Sequence, residues 1–195
     1  MLLLAGLSPP SDIGLLRKAQ IFLAPVTVAM NGLNSVLQPL LVARYARSGH
    51  RGVVSVSMPI AVAAIAAVAA YGALVLSLPA PAAGMLVGEG WSEARTFLPP
   101  LLVHVCAGIV GGCAGLSLRA VGLVTLQVRV RWVIAPLSVL ALAVATMSGG
   151  AIAGIWALAA AGLLATTIWT GLLFRRAQDR TGVPGGSLRP SEVMQ

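Results

Sequence analysis

The sequence predicts an all-α fold, a polytopic bundle of transmembrane helices, and three observations support this prediction. Of the 195 residues, 58% are hydrophobic and only 9% are charged, whereas a soluble domain carries about 25% charged residues. The uncharged residues form runs that are each long enough for at least one crossing of about 20 helical residues. The basic residues lie in short clusters between these runs. A chain of this composition is expected to be solvated by lipid.

The transmembrane helices follow from the four uncharged runs and their breaks. The runs cover 19–43, 52–88, 96–118 and 132–174. Pro79 and Pro81 end a helix within the second run, because proline has no N–H to donate and clashes with the preceding turn. The fourth run would be about twice the hydrocarbon thickness as one helix, and Ser148-Gly149-Gly150 supplies a turn within it. We therefore predict five spans, near 19–43, 54–78, 98–118, 131–148 and 151–174.

The chain divides into three predicted regions. Residues 1–18 are predicted to hold the end of a helix and an outer loop, because MLLLAGL resembles the last turns of a spanning helix. Residues 19–176 form the transmembrane bundle. Residues 177–195 are rich in Gly, Pro and Ser and are predicted to be a disordered tail. In the loop before the third span, Trp91 and Phe97 are predicted to lie at the outer membrane interface.

The orientation follows from the basic residues. If the helices alternate in direction, ten of the thirteen basic residues lie on one side of the membrane. These ten are Arg44, Arg47, Arg51, Arg119, Arg129, Arg131, Arg175, Arg176, Arg180 and Arg189. The other side carries Arg17, Lys18 and Arg95 together with three carboxylates. The positive-inside rule places the side with ten basic residues, and with it the C-terminus, in the cytoplasm.

Several function classes are disfavoured. The formal net charge of +8 does not indicate nucleic-acid binding, because aromatic residues are not interleaved with the basic clusters. Cys106 and Cys113, seven residues apart on one helix, would lie about 10 Å apart, too far for a disulfide. No metal-ligand cluster is seen, and no metal or cofactor is expected. The sequence has no GxSxG, HExxH or phosphate-binding loop, and the predicted spans carry no acidic residue, so we do not expect an enzyme.

The first span carries a polar stripe. With 100° per residue, its five amide and hydroxyl side chains fall within an arc of about 60°. They are Gln20, Thr27, Asn31, Asn34 and Gln38. Unpaired amides in hydrocarbon cost several kcal/mol each, so the stripe must face protein or water. It either holds a bundle together through interhelical hydrogen bonds or lines a pathway for a polar substrate, and Pro25 and Gly32 make this helix easy to bend.

The third span places one histidine, one arginine and a series of glycines on one face. The pairs Gly108/Gly112 and Gly111/Gly115 fit the small-xxx-small pattern that permits close helix packing. His104 is the one ionisable side chain well inside a predicted span. It belongs to a substrate pathway or forms a hydrogen bond to a neighbouring helix. Arg119 either reaches lipid phosphate at the membrane surface or binds a phosphate-bearing substrate.

Three segments resemble a known family. The run IGLLRKAQIFLAPVTVAMNGLNSVLQPLLVARYARSG matches the start of its C-terminal half through Gly14, Leu16-Arg17-Lys18-Ala19-Gln20, Pro25 and Gln38-Pro39, followed by a basic exit. LVGEGWSEARTFLPPL resembles an outer loop of that family, and LSLRAVG resembles the exit from the helix that follows it. Over 10–176, the chain resembles the bacterial polysaccharide and oligosaccharide (Wzx-like) flippases of the multidrug/oligosaccharidyl-lipid/polysaccharide exporter superfamily.

This resemblance implies one lobe, the C-terminal one, of a two-lobed transporter in the bacterial cytoplasmic (inner) membrane. It implies translocation of lipid-linked oligosaccharide or polysaccharide precursors by alternating access, with membrane lipid and the lipid-linked glycan as partners. A missing N-terminal lobe or a partner chain would complete the cavity. The pathway would be lined by the polar stripe together with His104 and Arg119. The alternatives are a multidrug-type antiporter lobe and a non-transporting scaffold or remnant fragment.

Overall fold

The computed structural model describes residues 9–179, and every regular element in this range is helical. In chain order, the elements are α1 (Pro10–Leu76), α2 (Ala80–Val87), α3 (Trp91–Ala94), a 3-10 turn (Arg95–Phe97), α4 (Leu98–Ala120) and α5 (Val124–Asp179). The stretches Pro10–Leu76, Trp91–Ala120 and Val124–Arg175 are long and apolar enough to cross a membrane. The prediction of an all-α chain with helices of transmembrane character is therefore confirmed.

Two glycines interrupt the longest helices. Gly49 has φ 61° and ψ −153° inside α1, and Gly150 has φ 74° and ψ −172° inside α5. Side chains are essentially excluded from this region of backbone space, so glycine is required at both positions. Each break divides its helix into two arms: 10–48 (α1a) and 50–76 (α1b), and 124–149 (α5a) and 151–179 (α5b). The predicted turn at Ser148-Gly149-Gly150 coincides with the second break.

The arms of α1 fold back on each other. The Tyr71 hydroxyl on α1b donates a hydrogen bond to the Phe22 carbonyl on α1a, over 2.7 Å. Nearer to Gly49, Val26 belongs to the same buried cluster as Val68. Residues of α1a that lie farther from Gly49 along the chain contact residues of α1b that also lie farther from it. The helix α1 is therefore an antiparallel hairpin.

The arms of α5 pack together in the same way close to Gly150. Leu142 of α5a shares a buried cluster with Ala151 and Ile155 of α5b. A Cβ placed on Gly154 would lie 3.2 Å from the Leu142 side chain. The small residue at 154 therefore allows the two arms to approach closely beyond the turn.

The central helix of the bundle is α4, which packs against both hairpins. Pro99 and Pro100 occupy its first turn, where a missing N–H costs nothing. More than half of its most apolar stretch is buried, against about a quarter of the most apolar stretch in each hairpin. The hydroxyl of Ser117, fully buried, donates to the Cys113 carbonyl over 2.8 Å, which satisfies it within the helix.

The loops and turns gather at two opposite ends. At one, the start of α1, the loop before α4 and the Gly150 turn meet, because Asp12, Glu93 and Gly150 line one pocket. The Lys18 ammonium there donates to the Glu89 carbonyl. We call this the mixed-charge end. At the other, the Gly49 hairpin meets the end of α4, since Tyr45 and Val121 share one cluster; we call this the basic end.

Two predicted regions, 1–18 and 177–195, differ in part from the structure. Residues 10–18 are helical and not an outer loop, because Pro10 and Asp12 favour a first turn and Leu16 is buried in the core. Residues 177–179, assigned to the predicted tail, continue α5. Residues 180–195, like residues 1–8, lie outside the described part of the chain.

The two aromatic residues predicted at the membrane interface are buried within the bundle, in the segment before α4. Trp91 is 4% exposed and Phe97 is 3% exposed. The ring of Trp91 stacks in a tilted arrangement on Phe22 of α1a, with centroids 4.9 Å apart. This aromatic contact joins the loop before α4 to the first helix, and such pairs stabilise packing beyond the area that they bury.

Candidate functional site

A cavity of about 610 Å³ runs along α4 between the two hairpins. Its floor is α4, its walls are α1a and α5b, and α5a contributes residues at the basic end. Its polar lining residues are Asn34, Ser35, Gln38, His104, Arg119, Gln127, Arg131, Thr166 and Trp169. We call this cavity the polar groove. A polar cavity between helices of membrane-spanning length is typical of a ligand site or a pathway.

The structure brings most of the predicted pathway residues into the polar groove. Asn34 and Gln38 come from α1a, and His104 and Arg119 come from α4. Thr27 and Asn31 are exposed and do not line it, although they lie on the same face of α1a as Asn34. Gln20 is half-buried, nearer to the mixed-charge end, and has a partner of its own.

The predicted packing glycines all line the groove, but they differ in how tightly they are enclosed. A Cβ on Gly111 would lie 2.9 Å from the Thr166 hydroxyl, and one on Gly115 would lie 2.7 Å from Nε2 of Gln127. A Cβ on Gly108 would meet no atom within 4 Å. Gly111 and Gly115 therefore allow side chains of α5 to lie against α4, whereas Gly108 leaves the groove open.

One hydrogen bond holds the α5b wall on the floor. The Thr166 hydroxyl donates to the Ala107 carbonyl of α4 over 2.8 Å, and both residues are buried. Such interhelical bonds stabilise membrane bundles by about 0.6 kcal/mol on average. The wall is thus fixed in register beside His104.

Two buried polar atoms of the groove, Oδ1 of Asn34 on α1a and Nε1 of Trp169 on α5b, have no hydrogen-bond partner among the described residues. The His104 ring of α4 is engaged by the backbone of Leu158 on α5b. Oδ1 of Asn34 lies 3.9 Å from a Cβ placed on Gly112, and Nδ1 of His104 lies 3.6 Å from one placed on Gly162. Buried polar groups in native proteins are nearly always satisfied, by protein, water or ligand.

The groove is positively charged where it reaches the basic end. Nε of Arg119 donates to Oε1 of Gln127 over 3.2 Å, and Gln127 is only 6% exposed. Arg131 of α5a lines the same mouth, and the lining residues include no Asp or Glu. Because two guanidinium groups lie at this mouth and no carboxylate lines it, the mouth is expected to attract anions.

Sequence reasoning missed part of the lining. Ser35, Gln127, Gly162, Thr166 and Trp169 were not predicted for the site, and Arg131 was used only for topology. The available signal was an amide, Gln127, between apolar residues near the start of α5. Which face of a helix meets α4 depends on tertiary packing, which one sequence does not reveal.

The groove offers binding groups and no metal centre. Among residues 9–179, no three His, Cys, Asp or Glu side chains group together to hold a metal ion. What it presents is amide, imidazole, indole and hydroxyl groups along its length and two guanidinium groups at one end. This arrangement suits hydrogen bonds to a polyhydroxyl ligand and ionic contacts to an anion.

Comparison of the chain with protein-family models, with curated proteins and with solved structures finds no match.

Proposed function

We propose that this chain is one lobe of an exporter that moves lipid-linked oligosaccharide or polysaccharide precursors across the bacterial cytoplasmic membrane by alternating access. The chain crosses the membrane five times and its C-terminus lies in the cytoplasm. The substrate's sugars occupy the polar groove. A second lobe, on a longer form of the chain or on a partner chain, covers the open side.

Five crossings are supported by the two glycine breaks. Each of the four arms, and α4 between them, has more than 20 residues, the length that a membrane crossing requires. The turns at Gly49 and Gly150 then lie on opposite sides of the membrane. Arg44, Arg47 and Arg51 flank Gly49 at the basic end, which supports a cytoplasmic location for that end.

The observation that carries the proposal is a set of polar side chains from three helices around one cavity, two of which have buried atoms without a partner among the described residues. An amide oxygen, an imidazole nitrogen and an indole N–H come from three different helices and line the same groove. A helix seam held only by packing would pair such groups with each other, because an unpaired polar group in hydrocarbon costs several kcal/mol. Sugar hydroxyls both donate and accept, and are suited to satisfy the amide oxygen of Asn34 and the indole N–H of Trp169.

The exposed part of the polar stripe supports a second lobe. Thr27 satisfies its hydroxyl within α1a by donating to the Leu23 carbonyl over 3.1 Å, but the Asn31 amide is exposed on the bundle surface. An amide at this depth is costly against lipid tails. A facing lobe that continues the groove would place Asn31 on a water-filled pathway.

The proposal is tested by removing groove amides while keeping the helix. In cells whose surface glycan depends on this chain, Asn34→Leu combined with Gln38→Leu is expected to lower surface glycan at least about tenfold and to accumulate the lipid-linked precursor. The loss reflects several hydrogen bonds at roughly 1 kcal/mol each. Thr167→Leu is the matched control, because Thr167 is exposed, does not line the groove and bonds only its own helix.

Immunoblotting of membranes confirms that each variant is inserted at the normal level. Normal glycan export by the inserted double variant would reject the proposed function. An equal loss of surface glycan in the double variant and in Thr167→Leu would also reject the proposed function, because any polar-to-apolar change would then be sufficient to lower export.

A further inference from the structure

A second polar cavity lies at the mixed-charge end, between α2 and the start of α3. It has a volume of about 420 Å³, and none of its described lining residues also lines the polar groove. Its polar lining residues are Glu89, Trp91 and Ser92, and the others are glycine or alanine. A Cβ placed on Gly84 or on Gly88, which line it, would meet no atom within 4 Å. The cavity therefore has room for a small polar group.

The indole of Trp91 carries a donor that the described part of the chain does not use. Trp91 is 4% exposed, and its Nε1 is buried with no hydrogen-bond partner among residues 9–179. The tilted contact with Phe22, with ring centroids 4.9 Å apart, holds the indole against α1a. Buried polar groups are nearly always satisfied, because leaving one unpaired costs free energy. An acceptor bound in the cavity that Trp91 lines would satisfy this N–H.

Charges of both signs surround the same cavity. Glu89 is exposed and is the acidic residue of the lining. The Lys18 ammonium donates to the Glu89 carbonyl, and it lies 3.7 Å from a Cβ placed on Gly90, another lining residue. An ammonium group has three donors, so Lys18 keeps others for a ligand. A simple anion would be repelled by Glu89 and a simple cation by Lys18, whereas a zwitterion suits both.

The cavity lies where lipid headgroups are expected. The helix α2 is uncharged, follows a helix of spanning length and has only 8 residues, too few to cross a membrane. Its Met85 is 89% exposed and its Leu86 is 68% exposed. Apolar side chains on a short helix at the end of a crossing are expected to enter the interfacial region of the bilayer. The zwitterions present at this depth are phospholipid headgroups.

We propose that this cavity binds the headgroup of phosphatidylethanolamine. The phosphate oxygens accept hydrogen bonds from Nε1 of Trp91, from the Ser92 hydroxyl and from the Lys18 ammonium. The ammonium group of the lipid donates to the Glu89 carboxylate, and the acyl chains lie beside the exposed apolar side chains of α2. The site is distinct from the polar groove and does not depend on which substrate the groove carries.

Lipid titration of the full chain tests this assignment. The protein in neutral detergent is titrated separately with phosphatidylethanolamine, phosphatidylcholine and phosphatidylglycerol of the same acyl chains, and bound lipid is counted by native mass spectrometry. Phosphatidylglycerol has no positive charge, and the trimethylammonium group of phosphatidylcholine has no N–H to donate. We expect phosphatidylethanolamine to bind at least about tenfold more tightly than either, about the difference that one charge-assisted hydrogen bond makes. Equal affinity for either of the other two lipids would overturn the proposal.

Three variants locate the site. Glu89→Gln, at an exposed position, is expected to lower the affinity for phosphatidylethanolamine at least about tenfold and to remove its advantage over phosphatidylglycerol. Trp91→Phe keeps an aromatic ring against Phe22 and removes the N–H, and Gly84→Leu fills the cavity while leaving every polar group in place. Both are expected to lower the affinity comparably.

Asp12→Asn is the matched control for Glu89→Gln. Asp12 is a carboxylate of the same end that lines the neighbouring cavity and not this one, so its replacement is expected to leave the affinity unchanged. An equal loss in Asp12→Asn and in Glu89→Gln would mean that diffuse charge at this end binds the lipid, and the site would be wrong. Unchanged affinity in Glu89→Gln would reject the site as well.

Discussion

The hydroxyl of Thr166 donates a hydrogen bond to the backbone carbonyl of Ala107 over 2.8 Å, and this bond joins α5b to the central helix. Gly111 lies one turn further along α4, and a side chain there would collide with the same hydroxyl, its Cβ being 2.9 Å away. The donor and the glycine together set how closely the wall of the polar groove approaches its floor. The width of the groove is therefore fixed by packing as much as by its polar residues.

Replacing Thr166 by Val removes this bond while keeping the shape of the side chain. We expect the free energy of unfolding to fall by about 0.6 to 1.7 kcal/mol, the range measured for interhelical hydrogen bonds in membrane bundles. Unfolding in mixed micelles by titration with a denaturing detergent measures this change. Thr167→Val, which alters a hydroxyl bonded only within its own helix, is the control, and an equal effect of the two variants would contradict the role given to Thr166.

Gly115 and Gly108 allow a matched test of the glycine seam. A methyl group at 115 would meet Nε2 of Gln127, a buried side chain held by Arg119, whereas one at 108 would meet nothing within 4 Å. We expect Gly115→Ala to destabilise the bundle by about 1 to 3 kcal/mol through overpacking. Gly108→Ala should be neutral or slightly stabilising, because alanine favours helix. The same detergent titration compares them, and the reverse order of stability would refute the packing described for Gln127.

The hairpin turn of α1 depends on Gly49. Its φ of 61° and ψ of −153° are open to glycine and strained for alanine, so Gly49→Ala should lower the free energy of unfolding by about 1 to 3 kcal/mol. Gly32→Ala is the control, since Gly32 is helical and a Cβ there meets no atom within 4 Å. A tolerated Gly49→Ala would show that α1 does not turn at this residue.

The proposed orientation predicts opposite reporters at the two ends of α5b. A fluorescent protein fused to the C-terminus should be bright, because it folds in the cytoplasm, and alkaline phosphatase fused after Gly149 should be active outside. The physical reason is the excess of arginine at the basic end over the mixed-charge end. An inactive phosphatase after Gly149 together with a bright C-terminal fusion would mean that 124–179 does not cross the membrane twice.

The sequence predicted the helical class and the turn near Gly150 well, because long apolar runs and glycine breaks are local properties. The Ser148-Gly149-Gly150 turn coincides with the break at Gly150. The start of α1 was predicted too late, since the charges of Arg17 and Lys18 suggested a loop. In the structure Arg17 is exposed while Leu16 is buried, so an amphipathic first turn extends the helix.

The groove was only partly predictable. Periodicity placed Asn34 and Gln38 on one face of α1a, and both line the groove. Gln127 was not predicted to line the groove, because its position there depends on packing against Gly115 of another helix. Trp91 was predicted at the membrane interface by residue type, and its packing on Phe22 of α1a could not be predicted from the sequence. Local pattern thus indicates which face is polar, and tertiary contacts decide what that face meets.

The central claim, that the polar groove is a water-accessible pathway and not a packed seam, is tested most directly by cysteine accessibility along α1a. In a chain whose native Cys106 and Cys113 are replaced by Ala, single cysteines are placed at Asn34 and Gln38, which line the groove, and at Val36, which is 68% exposed on the opposite face. A membrane-impermeant maleimide is applied to opened membranes, and it reacts with thiols only where water reaches them. Labelling at 34 and 38 with protection at 36 is the predicted result, whereas protection at all three positions would contradict the account.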